Sequence, residues 1–211
     1  LNTNILANSN GFLISTHLSF PREWGLGTSS TLINNIAQWF QVNAFILLKN
    51  SFGGSGYDIA CAQNNEPIIY HLEHEKPTIK KVTFKPTFLK NLYFVYLNQK
   101  QSSKNAIASY KEKKNNLEAQ KQIINEITQT VLNTKEENTF VEAIENHEKV
   151  LSSILETKTV KETLFSDFEG SIKSLGAWGG DFVLVFSKKN PRSYFLEKGF
   201  ETIIGYDDMI L

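Results

Sequence analysis

"PREWGLGTSSTLINNIAQWF", residues 21–40, joins a run of glycine and hydroxyl residues directly to an amphipathic helix. Leu32, Ile33, Ile36, Ala37 and Phe40 recur at helical spacing, which predicts a helix over 28–40. Thr28, Ser29 and Ser30 are residue types that cap helix starts. Gly25 and Gly27 allow the main chain to approach a ligand closely. The helix that follows offers unpaired N–H groups and the positive end of its dipole. Two readings stand side by side: ordinary capping, or a cradle for phosphate. The stretch is not a Walker A loop, because no lysine follows the glycine and serine run. It is not a dinucleotide fingerprint either, because Gly25-x-Gly27-x-x-Ser30 places serine where a third glycine belongs.

The rest of the chain sets the bounds. Its 211 residues suffice for one large or two small domains, and 41% hydrophobic residues indicate a folded core rather than disorder. Lys and Arg total 22 and Asp and Glu total 22, so there is no basic excess of the kind that coats nucleic acid. The single cysteine, Cys61, cannot form an internal disulfide, which points to a reducing compartment and a cytoplasmic protein. Cys61 itself reads as a small buried hydrophobe. No apolar run approaches the roughly 20 residues that a membrane span requires. The opening "LNTNILANSNGF" lacks the features of a signal peptide, and it begins with Leu1 rather than Met.

Along the chain, "GFLISTHLSF" (11–20) reads as a strand stopped by Pro21, and "NAFILLKN" (43–50) as a second short helix. "FGGSGYD" (52–58) is a glycine-rich turn. Residues 67–73, 78–84 and 91–98 read as strands. His71 and His74 alternate with Glu73 and Glu75 as solvated strand positions. Residues 103–157 are helical, with a break expected at 133–138, and "KEKKNN" (111–116) is a solvated face. A short helix is expected at 160–168, then strand, glycine turn and strand over 171–187. Pro191 and Gly199 bracket another helix, and "FETIIGY" closes as a strand. The composition shift near residue 90 marks a boundary, giving units 1–89 and 90–211 in an α+β chain. In the second unit, helices are expected on one face of an antiparallel sheet. Trp24 and Trp39 read as packing residues.

Two further glycine turns accompany the first: "GGSGYDIA" (53–60), which places Asp58 just after the turn, and "GAWGGDF" (176–182). With these residues in view, a resemblance emerges. "PREWGLGTSST" resembles the second signature motif of the GHMP kinases, the family named for galactokinase, homoserine kinase, mevalonate kinase and phosphomevalonate kinase. Pro21, Gly25, Leu26, Gly27, Thr28, Ser29 and Ser30 fall in register with it. "GGSGYDIA" is similar to the Ser-Gly-x-Asp segment of the mevalonate and phosphomevalonate branch. "SLGAWGGDFVLVF" resembles the third motif, and "VYLNQKQSS" (95–103) resembles the strand and turn that open the family's second domain. Order and spacing agree across most of the chain.

The resemblance implies a GHMP-kinase-like two-domain fold, with a partial ribosomal-protein-like N-terminal domain and a ferredoxin-like C-terminal domain. It implies an ATP- and Mg²⁺-dependent kinase that transfers a γ-phosphoryl group to a small alcohol or phosphate ester, mevalonate-like or another. Gly25, Leu26, Gly27, Thr28, Ser29 and Ser30 would wrap the nucleotide phosphates, with Ser29 helping to hold the metal. Asp58 would be the catalytic carboxylate. Ser55, Gly56, Gly176, Ala177, Trp178, Gly179 and Gly180 would form turns against phosphate or acceptor. Three departures accompany this. The family's N-terminal Lys and Gly-Glu motif has no counterpart, so residues 1–211 read as a fragment with little turnover of its own. Between Glu23 and Asp58 there is no acidic residue, and Leu47 stands about where the branch often has a metal-binding glutamate. Trp178 replaces a glycine of the third motif. The alternative reading is a non-catalytic, nucleotide- or partner-binding relative. An RNA-binding protein is a third class, disfavoured by the zero net charge. Neither nucleic acid nor membrane is an expected partner, and a homodimer is left open.

Overall fold

The computed structural model describes residue 7 and residues 12–99, 117–176, 178 and 180–210. The expected helical stretch at 103–116 with "KEKKNN", the end of "VYLNQKQSS", Ala177 and Gly179 lie outside the described residues. The chain divides into two compact units, one of residues 1–22 and 26–83, the other of residues 23–25 and 84–211.

The first unit holds α1 (Thr28–Trp39), α2 (Ala44–Ser51), α3 (Tyr57–Ala62) and the hairpin of β1 (Ile68–Glu73) and β2 (Lys76–Lys81). Ile33 and Ala37 of α1 meet Ala44 and Leu48 of α2 and Ile59 of α3 in one apolar core. The buried stripe of α1 is Ser30, Ile33, Asn34 and Ala37. This corrects the expected face, because Leu32 is left 41% exposed while Asn34 turns inward. Asn34 tolerates burial because its Oδ1 accepts a 2.9 Å hydrogen bond from Gln63 Nε2. Helix α2 starts where Asn43 accepts from the N–H groups of Phe45 and Ile46.

Residues 12–18, expected as part of a strand, adopt none. Leu13 is 96% exposed there, and no described strand pairs with the segment. An extended segment becomes a strand only when its N–H and C=O groups find a ladder partner. In the hairpin, Glu73 pairs with Lys76. His74 and Glu75 therefore form a two-residue turn, both at positive φ (49° and 63°), so His74 is a turn residue rather than a strand position.

The second unit is built on a four-stranded antiparallel sheet in the order β4-β5-β3-β6. The strands are β3 (Leu92–Tyr96), β4 (Ser171–Ser174), β5 (Phe182–Phe186) and β6 (Ile203–Gly205). Between β3 and β4 run α4 (Glu118–Asn133), α5 (Glu137–Leu155) and α6 (Val160–Leu164). Helix α7 (Arg192–Glu197) links β5 to β6, and α8 (Tyr206–Met209) follows. Side chains alternate along β5. Val183 and Val185 join Val160 of α6 and Phe195 of α7 in one core, whereas Phe186 joins Phe140 and Ile144 of α5 in another. Both faces of the sheet are thus covered, which corrects the expectation of helices on one face. The continuous apolar run of β5 is the signature of a strand buried on both sides.

Candidate active site

Two short-range devices place the candidate residues of the first unit. Helix α1 is capped at its start by Gly27 in the left-handed region (φ 71°), and no side chain caps it. Gly27 O accepts instead from the N–H and hydroxyl of Thr31. Thr28, Ser29 and Ser30, predicted as capping residues, form the first turn of the helix. Ser29 is exposed, Thr28 half-buried and Ser30 buried. Helix α3 starts the same way, at Gly56 with φ 81° and no side-chain cap. A Cβ at Gly56 would stand 2.8 Å from the Phe45 ring, so the turn needs glycine for space as well as for φ.

Asp58 is in the first turn of α3. A side chain built on Gly27 would lie 3.6 Å from Asp58 Cβ and 3.7 Å from its Cγ. The structure therefore brings the start of α1 and the carboxylate of α3 into contact distance. Asp58 is open to solvent on one side, while the atoms packed about it desolvate the carboxyl and raise its pKa above the ordinary aspartate value. Tyr57 beside it is pushed up to about 12, by burial first and then by Cys61 and Asp58. Cys61, expected to be buried, is exposed one helical turn on from Tyr57, and it is among the groups that raise the Tyr57 pKa.

Ser55 and Gly56 are held by Tyr70, whose hydroxyl donates to Ser55 O. They also line a cavity of about 550 Å³ bounded by Phe45, Ile46, Leu72 and Pro77, with Lys49 and Lys76 at its edge. Lys49 is paired with Glu75 at 2.9 Å. Among the described residues, no group of three or more His, Cys, Asp and Glu is arranged to hold a metal ion.

In the second unit, Gly176 is exposed at φ 63°, Trp178 is half-buried and Gly180 is buried. Gly25 belongs to this unit, and a Cβ on it would overlap the carboxylate of Asp181. Asp181 is the residue that sequence reasoning passed over. Its signal was its place directly after the third glycine turn.

No protein-family model matches the sequence, and no curated protein matches it. Solved structures do. The chain is similar to a Lin0012 protein from Listeria innocua, at 18% identity and a TM-score of 0.62, over 86% of this chain and 66% of that one. It is also similar to L. major mevalonate kinase, solved in complex with R-mevalonate, at 15% identity and a TM-score of 0.56, over 82% of this chain and 60% of that one. The chain thus spans less than two thirds of the length of either structure. The class is a mixed helix-and-sheet fold. In particular, it is similar to the fold of a mevalonate kinase, a kinase of the GHMP type.

Proposed function

We propose that this chain is the core of an ATP-dependent small-molecule kinase of the GHMP type, acting on a small alcohol or phosphate ester. One observation carries the reading: the uncapped, glycine-started N-terminus of α1 lies in contact distance of Asp58. The first requirement of such chemistry is a place for anionic oxygen. A helix of 12 residues whose first-turn N–H groups have no side-chain cap fits it. Thr28 and Ser29 add hydroxyls on the open side, and Ser29 is the residue that would help to hold Mg²⁺. Ser30, being buried, would act through its main-chain N–H. ATP supplies the γ-phosphoryl group, and the metal offsets its charge.

Asp58 takes the role of orienting the acceptor hydroxyl and accepting its proton. A carboxylate with raised pKa is a better match to that task near neutral pH than an ordinary one. The start of α3 holds Asp58 in place through the Gly56 turn, which Tyr70 supports from the hairpin. The cavity beside Ser55 and Gly56, largely apolar with Lys49, Lys76 and Glu75 on its lining, suits a small molecule. The sheet order β4-β5-β3-β6, with helical connections from β3 to β4 and from β5 to β6, supports a ferredoxin-like domain. The similarity to mevalonate kinase supports a mevalonate-like acceptor.

The test is phosphoryl transfer by the full-length protein, with Mg-ATP and mevalonate or phosphomevalonate as acceptors. Asp58→Asn keeps the shape and removes the charge, and kcat is expected to fall by roughly 10²–10⁴. Nucleotide affinity is expected to hold, whereas Ser29→Ala weakens Mg-ATP binding. An Asp58→Asn protein with full kcat would remove Asp58 from the chemistry and leave helix capping as the role of "GGSGYDIA".

A further inference from the structure

The segment just before the glycine loop is gripped by the second unit. Residues 23–25 belong to that unit although the chain on either side of them does not. The Trp24 indole packs edge-on against Phe182 at 5.4 Å and lies 6.4 Å from Tyr96. The Tyr96 hydroxyl donates to Glu23 O at 3.2 Å. Gly25, at φ 68°, rests against the Asp181 carboxylate so closely that no side chain fits between them.

Asp181 is itself an unusual residue. It adopts φ 52°, a left-handed conformation that Asp tolerates better than most side chains do. Two main-chain hydrogen bonds hold it there: its N–H donates to Gln99 O at 2.9 Å, and its carbonyl accepts from Leu97 N–H at 2.7 Å. The backbone is thus fixed by the strand end of β3, and the side chain is aimed at Gly25. Tyr96 responds to the same grouping. Its hydroxyl pKa is raised by desolvation first, then by Glu23 and Asp181.

We propose that Asp181 is a positioning residue for Gly25: its carboxylate seats Gly25, the first residue of the run Gly25–Ser30 that takes the nucleotide phosphates in the proposed reaction. The inference rests on that reading for its catalytic consequence, but the seat is a property of the second unit alone. The Asp181 side chain acts here by shape, filling the space that glycine leaves. Asn has nearly the same shape and also tolerates the left-handed region. Gly keeps the backbone and empties the seat.

The experiment compares wild type, Asp181→Asn and Asp181→Gly in the full-length protein. Amide hydrogen exchange is followed over residues 22–31, together with binding of a fluorescent ATP analogue in Mg²⁺ and steady-state kinetics. Asp181→Gly is expected to speed exchange over 23–27 by roughly tenfold or more. It is expected to raise KM for Mg-ATP by roughly tenfold while kcat stays within about twofold, because a displaced loop weakens binding before it touches the proton transfer at Asp58. Asp181→Asn is expected to restore both. Unchanged exchange in Asp181→Gly overturns the proposal. Faster exchange that Asn does not restore overturns the role of shape. If wild type binds no nucleotide while exchange still rises in Asp181→Gly, the kinase reading fails and the seat stands.

Discussion

His147 shows how one side chain is tuned by its surroundings. It lies on α5 against β4, and its Nδ1 is 3.9 Å from Glu148 Oε1. Its pKa is pushed down to about 4, by burial first and then by the Lys173 ammonium. Glu148 moves the other way: burial raises its pKa, opposed by Lys173 and by hydrogen bonds from Ser174. For His147 the unfolded chain takes up a proton near pH 6.5, whereas the folded chain resists until about 4. The neutral histidine is therefore tolerated fully above the unfolded value, and folding stability drains away as pH falls from 6.5 to about 4. Glu148 contributes with opposite sign, since its raised pKa favours the folded state as the carboxyl protonates. His147→Gln removes the first effect and leaves the second. The unfolding free energy of wild type relative to His147→Gln should fall by no more than about 3 kcal/mol across that window. Denaturant unfolding at pH 7, 5.5 and 4.5 measures it, and a difference that does not vary with pH would refute the assignment.

At the scale of elements, what starts a helix decides what it can do. Helix α2 is closed by Asn43, which satisfies two first-turn N–H groups at 2.9 and 3.1 Å. Helix α6 is closed by a capping box in which Thr159 and Glu162 exchange hydrogen bonds. Helices α1 and α3 are left with glycine and no side-chain cap. That contrast separates helices whose first turn is closed by a capping side chain from helices that start on a left-handed glycine. Asn43→Ala should cost about 1 kcal/mol of stability, read from the urea midpoint, and should leave Mg-ATP affinity unchanged. A loss of nucleotide affinity in this variant would place α2 in the binding site and change the reading of α1. Among the described residues, no helix is long and apolar enough to cross a membrane.

At the scale of the molecule, each unit stands on its own apolar core. The second unit relies on a sheet filled from both sides, so its centre is densely aromatic. Phe140, 1% exposed, touches Phe88 at a ring separation of 4.9 Å and Phe186 at 6.4 Å. Phe140→Ala should cost about 3–5 kcal/mol, because the surrounding rings cannot close the cavity it leaves. Urea unfolding followed by far-ultraviolet circular dichroism tests this. A cost below about 1 kcal/mol would show that α5 is not part of that core. Ile144→Val, at a neighbouring buried position, should cost only about 1 kcal/mol.

Much of this was legible in the sequence, because local signals have local causes. The helical spacing of residues 28–40, the Pro and Gly around α7 and the apolar run of β5 each act within a few residues. Gly25, Gly27 and Gly56 announced turns that the structure places at positive φ. Other features needed the tertiary structure. The face of α1 was set by Asn34, whose burial depends on a partner 29 positions away in Gln63. Residues 12–18 carry strand-like residues, yet a strand exists only where a second segment completes its ladder. Cys61 looked like core, but the turn of a six-residue helix exposes it. The contact of Gly27 with Asp58, and the seat that Asp181 makes for Gly25, join residues 31 and 156 positions apart. Sequence alone determined where glycine turns and helix starts fall and which hydroxyl and carboxylate residues stand beside them. Only the packing of helices and strands decided which of them stand within reach of one another, because side-chain chemistry is local and proximity is not.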